Sequence, residues 1–277
     1  MQEIKVHPIS PAVGAEISGV DLSQPLNPDT VSRIRQVLLA QGVVFFRDQK
    51  LTADQLLTAA GYFGKPVEYP FVRGLDDCPL VIPVLKLPNE TLNFGGVWHS
   101  DTTYLVKPPM ATMLHARDLP ELGGDTLFAN MTAAYDALSD AMKVLLAPLK
   151  ALNSAANQTV ADTRKHRLED SGKDTHDVQT EAIHPVVRVH PETGRKSLYV
   201  NSAHTVRLEG MTDEESASIL QFLYTHQVRE EFSCRFRWSP GALAFWDNRC
   251  TQHYPVNDYH GFRRLLYRVT LAGDVPN

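Results

Sequence analysis

The second half of the chain sets the strongest constraint on the fold. Five short runs, HPVVRVH, SLYVN, CRFRW, ALAFW and RRLLYRVTL, lie between residues 184 and 271. They are rich in β-branched and aromatic residues and read as strands. Only one helical pattern, DEESASILQFLYTHQV at 213–228, interrupts them. Regular β-α alternation, which a doubly wound parallel sheet needs, is therefore missing. A closed or double-sheet barrel suits these strands better, because it disposes of exposed edges. The expected class is a β-rich α+β fold with helices at its margins.

The first half agrees. IKVHPI and AEISGV are β-like, and VVFFRD reads as a buried strand. Asn27 or Asp29 can cap TVSRIRQVLLAQ, with Gly42 as its stop. Thr52 can cap ADQLLTAAGYFG, and AAYDALSDAMKVLLAPL is a third helical stretch. Residues 153–183 are polar and weakly periodic. So long a stretch between core strands predicts a lid or an insertion within a single domain spanning 1–277.

Charge and cysteine content limit the function classes. The net charge of -5 among 277 residues gives no electrostatic footprint for nucleic acid or an anionic membrane. No run approaches a membrane span, and Glu3, Lys5 and Glu16 break any signal-peptide core. Cys78, Cys234 and Cys250 are too few and scattered for a disulfide framework and read as free thiols. A cytoplasmic protein is expected.

The stretch VWHSDTTY places His99 and Asp101 two residues apart. In a strand they would face the same way. The pair is either a local hydrogen bond or two ligands of a metal. Downstream, AFWDNRCTQHYPVNDY supplies His253 as a third candidate. Two histidines and one carboxylate, with coordination positions left open, make the facial triad of non-haem Fe(II) oxygenases. In RRLLYRVTL, Arg264, Leu266, Arg268 and Thr270 share one face and Leu265, Tyr267, Val269 and Leu271 the other. Periodicity alone would turn the arginines to water. The alternative turns them into a polar interior, where a guanidinium fork suits a bound carboxylate. His115, His184 and His190 read as packing or surface histidines. Trp98 reads as core, and Asp247 and Asn248 as the turn before His253.

Taken together, WHSDTTY, GGDTLFAN, HPVVRVHPETGRKSLYVN, WDNRCTQHY and RRLLYRVTLAGD resemble the taurine dioxygenase and 2,4-dichlorophenoxyacetate dioxygenase family. These are Fe(II)- and 2-oxoglutarate-dependent dioxygenases, and the resemblance runs from about Ile4 to Pro276. It implies a double-stranded β-helix, or jelly roll, with helices packed outside. It implies His99, Asp101 and His253 as catalytic iron ligands. Thr126 and Arg264 would bind the distal carboxylate of 2-oxoglutarate, and O2 would be the second cosubstrate. Arg268 would meet an anionic primary substrate. Tyr69, Val72 and Gly95 stand where the taurine enzyme has a histidine, a tyrosine and an asparagine that face its substrate. Their loss of polar partners implies a larger organic anion: a sulfonate, a sulfate ester, or an aryloxy or other carboxylate. Taurine dioxygenase proper is the alternative, and a zinc-dependent or non-catalytic jelly-roll protein a more distant one. Relatives of this kind are often dimers or tetramers.

Overall fold

The computed structural model describes residues 3–157 and 178–277. The first half contains β1 (Lys5–Pro8), β2 (Ala15–Ser18), α1 (Pro28–Gln41), β3 (Val43–Phe46), α2 (Ala53–Gly61), β4 (Pro66–Val67), β5 (Ile82–Lys86), β6 (Ala111–Asp118) and β7 (Thr126–Asn130). Next come α3 (Met131–Asp136), α4 (Asp140–Leu146), β8 (Lys150–Ser154), β9 (Glu181–Pro185), β10 (Val187–Val189), β11 (Lys196–Leu198) and β12 (Thr205–Leu208). The chain closes with α5 (Asp213–His226), β13 (Ser233–Phe236), β14 (Leu243–Asp247), β15 (Thr251–Pro255) and β16 (Arg264–Leu271). The fold is sheet-rich with few helices.

The largest sheet runs β1-β2-β3-β14-β6-β16-β4, with β5 also paired to β16. Side chains along its strands alternate between two layers, as the pleat requires. Val44, Phe46, Met113, Leu243, Phe245 and Val269 pack with Ile34, Leu38 and Leu56 of α1 and α2. Val43, Phe45, Leu114, Ala244, Trp246 and Leu266 point the other way. There they meet Phe128 and Phe236 of a second sheet, ordered β13-β7-β15. Phe45 stacks on Phe236 at 4.0 Å between ring centroids and meets Phe128 edge-on at 5.4 Å. Two sheets thus share an interior, and one face of β16 opens into it.

Local chemistry explains the helix ends. The Asn27 side chain accepts from Thr30 N, and Gly42, at φ 72°, ends α1 with its N–H on Leu38 O. Thr52 and Gln55 form a reciprocal capping box on α2. The third helical stretch is two helices, because Ser139 caps α4 afresh where α3 has stopped.

Two further expectations are corrected. VWHSDTTY is not a strand: His99 makes an isolated bridge, and turns follow it, with Thr102 at φ 45°. The segment 153–183 is not wholly loop. Its ends are strand residues of β8 and β9, joined by Ala155 N donating to Thr180 O at 2.7 Å. Residues 158–177, on which the lid expectation chiefly falls, lie outside the described residues.

Candidate active site

β15 is hydrogen-bonded to β7 on one side and to the bridge residue His99 on the other. His99 N donates to His253 O at 3.1 Å, and His253 N to His99 O at 2.8 Å. This reciprocal bridge, and not a shared strand, brings the two imidazoles to 4.1 Å between centroids. The turn after His99 then swings Asp101 beneath them. Its Oδ1 lies 3.7 Å from His99 Nε2 and 4.0 Å from His253 Nε2. One ligand atom from each residue falls within 4.8 Å of the others, and all three residues are buried.

The donors suit a cation. His99 Nδ1 lies 2.7 Å from Val97 O. A carbonyl only accepts, so that nitrogen carries the proton and Nε2 presents a lone pair to the cluster. Burial, with His99 alongside, drives His253 well below the ordinary histidine pKa and keeps it neutral. Burial alone would raise the Asp101 carboxyl. Arg268, the two imidazoles and Thr112 outweigh it and hold the group below the usual carboxylate range.

A hydrogen-bond chain fixes Asp101 from behind. Thr112 donates to Asp101 Oδ2 at 2.7 Å, and Asn248 Nδ2 donates to Thr112 Oγ1 at 2.9 Å. Trp246 Nε1 in turn donates to Asn248 Oδ1 at 2.9 Å. Asn248 therefore does more than shape a turn. Asp247 is fully buried, taking His190 Nε2 at 3.0 Å and Arg249 at 2.6–2.8 Å, so His190 is a structural partner. His115 and His184 bond to backbone carbonyls of Gln49 and Leu105, as packing histidines. Trp98 stacks on Tyr254.

β16 turns its arginines inward. Arg264 and Arg268 are 4% and 7% exposed, which rejects the reading that puts them in water. Both line a cavity together with His99, His253, Thr126, Trp246 and Phe94. Arg268 Nη2 stands 2.9 Å from Asp101 Oδ1, and its guanidinium lies over the Tyr69 ring at 5.0 Å. Arg264 donates to Gly124 O at 2.9 Å. Gly124, at φ +70°, holds a backbone conformation that favours glycine, and a Cβ there would crowd the Arg264 side chain at 3.1 Å. Thr126 Oγ1 accepts from Trp238 Nε1 at 3.0 Å. Val72 belongs to an adjoining apolar pocket with Ile82, Val84 and Phe94. Gly95 lies against the metal-candidate imidazole: a Cβ there would be 3.0 Å from His99 Cε1.

Of the nine residues expected at the site, His99, Asp101 and His253 cluster, Thr126, Arg264 and Arg268 line the cavity beside them, Tyr69 and Gly95 stand against Arg268 and His99, and Val72 lies in the adjoining pocket. Sequence reasoning missed Thr112 and Asn248, as well as Lys86, Asn93 and Tyr259 of the cavity wall. Thr112, a fully buried polar residue among apolar strand neighbours, carried a signal. Lys86 and Tyr259 carried none that a single sequence reveals.

Residues 5–270 match the family model described as taurine catabolism dioxygenase TauD, TfdA family. A sulfate ester dioxygenase of Pseudomonas putida, described as α-ketoglutarate-dependent, is 37% identical over 99% of this chain and 91% of its own length. An alkylsulfatase of Acinetobacter baylyi is 35% identical over 99% of this chain and 86% of its own. A crystal structure of a taurine dioxygenase from Burkholderia xenovorans superposes with a TM-score of 0.85 at 36% identity, covering 99% of this chain and 90% of that one. A family match across nearly the whole chain, joined to a His-Asp-His cluster beside two buried arginines, means that this protein belongs to the TauD, TfdA family of dioxygenases.

Proposed function

We propose that this enzyme uses Fe(II), 2-oxoglutarate and O2 to hydroxylate an organic anion larger and less polar than taurine, with an alkyl sulfate ester the best-supported class. The observation that carries the reading is the inward face of β16, where two buried arginines open onto one cavity beside the His99-Asp101-His253 cluster. A zinc hydrolase on the same triad has no need of a second carboxylate clamp. The two-sheet core, with its site between the sheets, supports a jelly-roll description.

The residues divide the work. His99, Asp101 and His253 would hold the metal on one side and leave its other positions open. Arg264 and Thr126 would bind the distal carboxylate of 2-oxoglutarate. Bound iron, 2-oxoglutarate and O2 would together supply an oxidant able to hydroxylate an unactivated C–H bond, one oxygen atom going to succinate, with CO2 released, and the other to the substrate. Arg268 would draw the anionic head of the primary substrate toward the cluster. Val72, Ile82, Val84 and Phe94 would take its apolar part and keep water away. A sulfate ester hydroxylated on the carbon bearing its oxygen collapses to an aldehyde and releases sulfate. Tyr69, Val72 and Gly95 offer little to the ammonium group of taurine, whose unmet polar groups are costly to bury.

The relatives that act on sulfate esters and alkyl sulfates support this class. Three buried free cysteines and the absence, among the described residues, of any helix able to cross a membrane suit the cytoplasmic setting we infer. No nucleic-acid partner is proposed, and a homodimer or tetramer remains our expectation for the assembly. The test is succinate release with medium-chain alkyl sulfates, alkyl sulfonates, aryloxyacetates and taurine. We expect strong stimulation by an anion other than taurine, reduced by Arg268→Ala. Efficient turnover of taurine, or of a neutral compound regardless of Arg268, would overturn the substrate reading.

A further inference from the structure

Lys86, at the end of β5, sits directly opposite Arg264 in the antiparallel β5–β16 pair. Opposed residues share a face, with Cβ atoms about 4.5–5.5 Å apart. Both side chains are buried, each 4% exposed. Two like charges so placed repel one another, and buried charge without a counterion is costly. Yet among the described residues neither cation forms an ion pair with a carboxylate. Lys86 Nζ donates to Asn257 Oδ1 at 2.6 Å, while Arg264 donates to Gly124 O and leaves its Nε without a partner.

The two cations also converge on one object. Lys86 Nζ stands 4.2 Å from the centroid of the Tyr259 ring, and the Arg264 guanidinium stands 5.7 Å from the same ring. Tyr259 is fixed by its hydroxyl, which donates to Asn93 Oδ1 at 2.8 Å. Lys86, Arg264 and Thr126 all line the cavity that holds the His-Asp-His cluster. Burial, and Arg264 beside it, pull the Lys86 ammonium below its ordinary pKa, against the opposing influence of Glu90 and Asp258. An anion lying between the cations would relieve their repulsion and balance their charge.

We propose that Lys86 and Arg264 form a two-cation receptor for the distal carboxylate of 2-oxoglutarate, with Lys86 as a second direct ligand. The assignment rests on the cosubstrate reading above. It gives the pocket a rigid fork from Arg264 and a compact point charge from Lys86. It also makes the repulsive pair a device for selecting a dicarboxylic oxoacid, because a carboxylate between the two cations relieves a repulsion that Glu90 and Asp258 offset only in part.

Lys86→Met keeps the apolar stem and removes the charge. The receptor predicts two opposite changes in this variant. The ligand-free protein melts at the same temperature as the parent or higher, because the repulsion is gone. The Kd for 2-oxoglutarate, measured by calorimetry on anaerobic Fe(II)-loaded protein, rises tenfold or more. Lys86→Arg recovers most of the affinity. A purely structural lysine predicts the reverse: a lower melting temperature and an unchanged Kd, and that result overturns the proposal. Should Lys86→Met fail to fold, Lys86→Gln, which can still reach Asn257, answers the same question. If the parent protein does not bind 2-oxoglutarate at all, the cosubstrate reading falls and this proposal with it. If the parent binds and the neutral variant binds equally well, this proposal alone falls.

Discussion

Asp101 shows how much of the site lies one layer behind the cluster. Its Oδ1 faces the imidazoles because Thr112 holds Oδ2, and Asn248, itself held by Trp246, holds Thr112. Removing the hydroxyl should free the carboxylate to turn. We expect Thr112→Val to weaken Fe(II) binding by about 10–100-fold, the usual cost of losing such a support. Equilibrium metal titration checks this, and an unchanged affinity would show that the chain merely packs. Arg264 is a different case, since its guanidinium would meet a charged ligand directly. Arg264→Ala should raise the Kd for 2-oxoglutarate by on the order of a hundredfold or more, as breaking a buried charge pair costs about 3–5 kcal/mol. Calorimetric titration with 2-oxoglutarate reads this directly, and an unaltered Kd would move the clamp elsewhere. At this scale the sequence was informative for residues with a recognisable motif. It was silent on Lys86, whose meaning comes only from its strand partner.

Among elements, β16 carries the clearest lesson. Its alternation of arginine with apolar residues is legible, but periodicity cannot say which face is inward. The strand breaks the usual rule: its arginines are buried and line the cavity beside the His-Asp-His cluster. Helices α1 and α2 were legible through their caps, and α5 through its helical pattern. Strands β5, β6 and β8 were not, since short strands whose pairing is non-local leave a weak local signal. VWHSDTTY misled for a similar reason: a bridge and a turn reproduce the spacing effect of a strand. The contact between the two main sheets rests on Phe45, fully buried and stacked on Phe236. Phe45→Ala should destabilise the fold by about 3–5 kcal/mol through the cavity it leaves. Urea unfolding measures that loss, and a cost below about 1 kcal/mol would mean that the sheets do not depend on this contact.

The whole molecule carries several buried ionisable groups whose states are set by the fold. Burial lowers the pKa of His115 and His184, so both stay neutral when folded. Unfolded, each takes up a proton near its ordinary value of 6.5. Below that pH the unfolded chain binds more protons, so stability must fall as pH falls. Asp247 adds to this slope at lower pH: burial would raise its pKa, but Arg249 and His190 hold it depressed. We expect the urea midpoint to drop between pH 7.5 and pH 5.5, and His115→Gln to make that drop shallower. A midpoint that rises on acidification would contradict the burial argument.

We propose that His99, Asp101 and His253 hold an iron whose open positions accept 2-oxoglutarate. The most direct measurement is the anaerobic visible spectrum of the protein with Fe(II) and 2-oxoglutarate. We expect a metal-to-ligand charge-transfer band that appears only when both are present. The band should vanish in His99→Ala, Asp101→Ala and His253→Ala proteins that remain folded by circular dichroism. Asp101→Glu should also lose it, because the added methylene moves the carboxylate within a fixed cluster. A parent protein that shows no such band, or triad variants that retain it, would contradict the account.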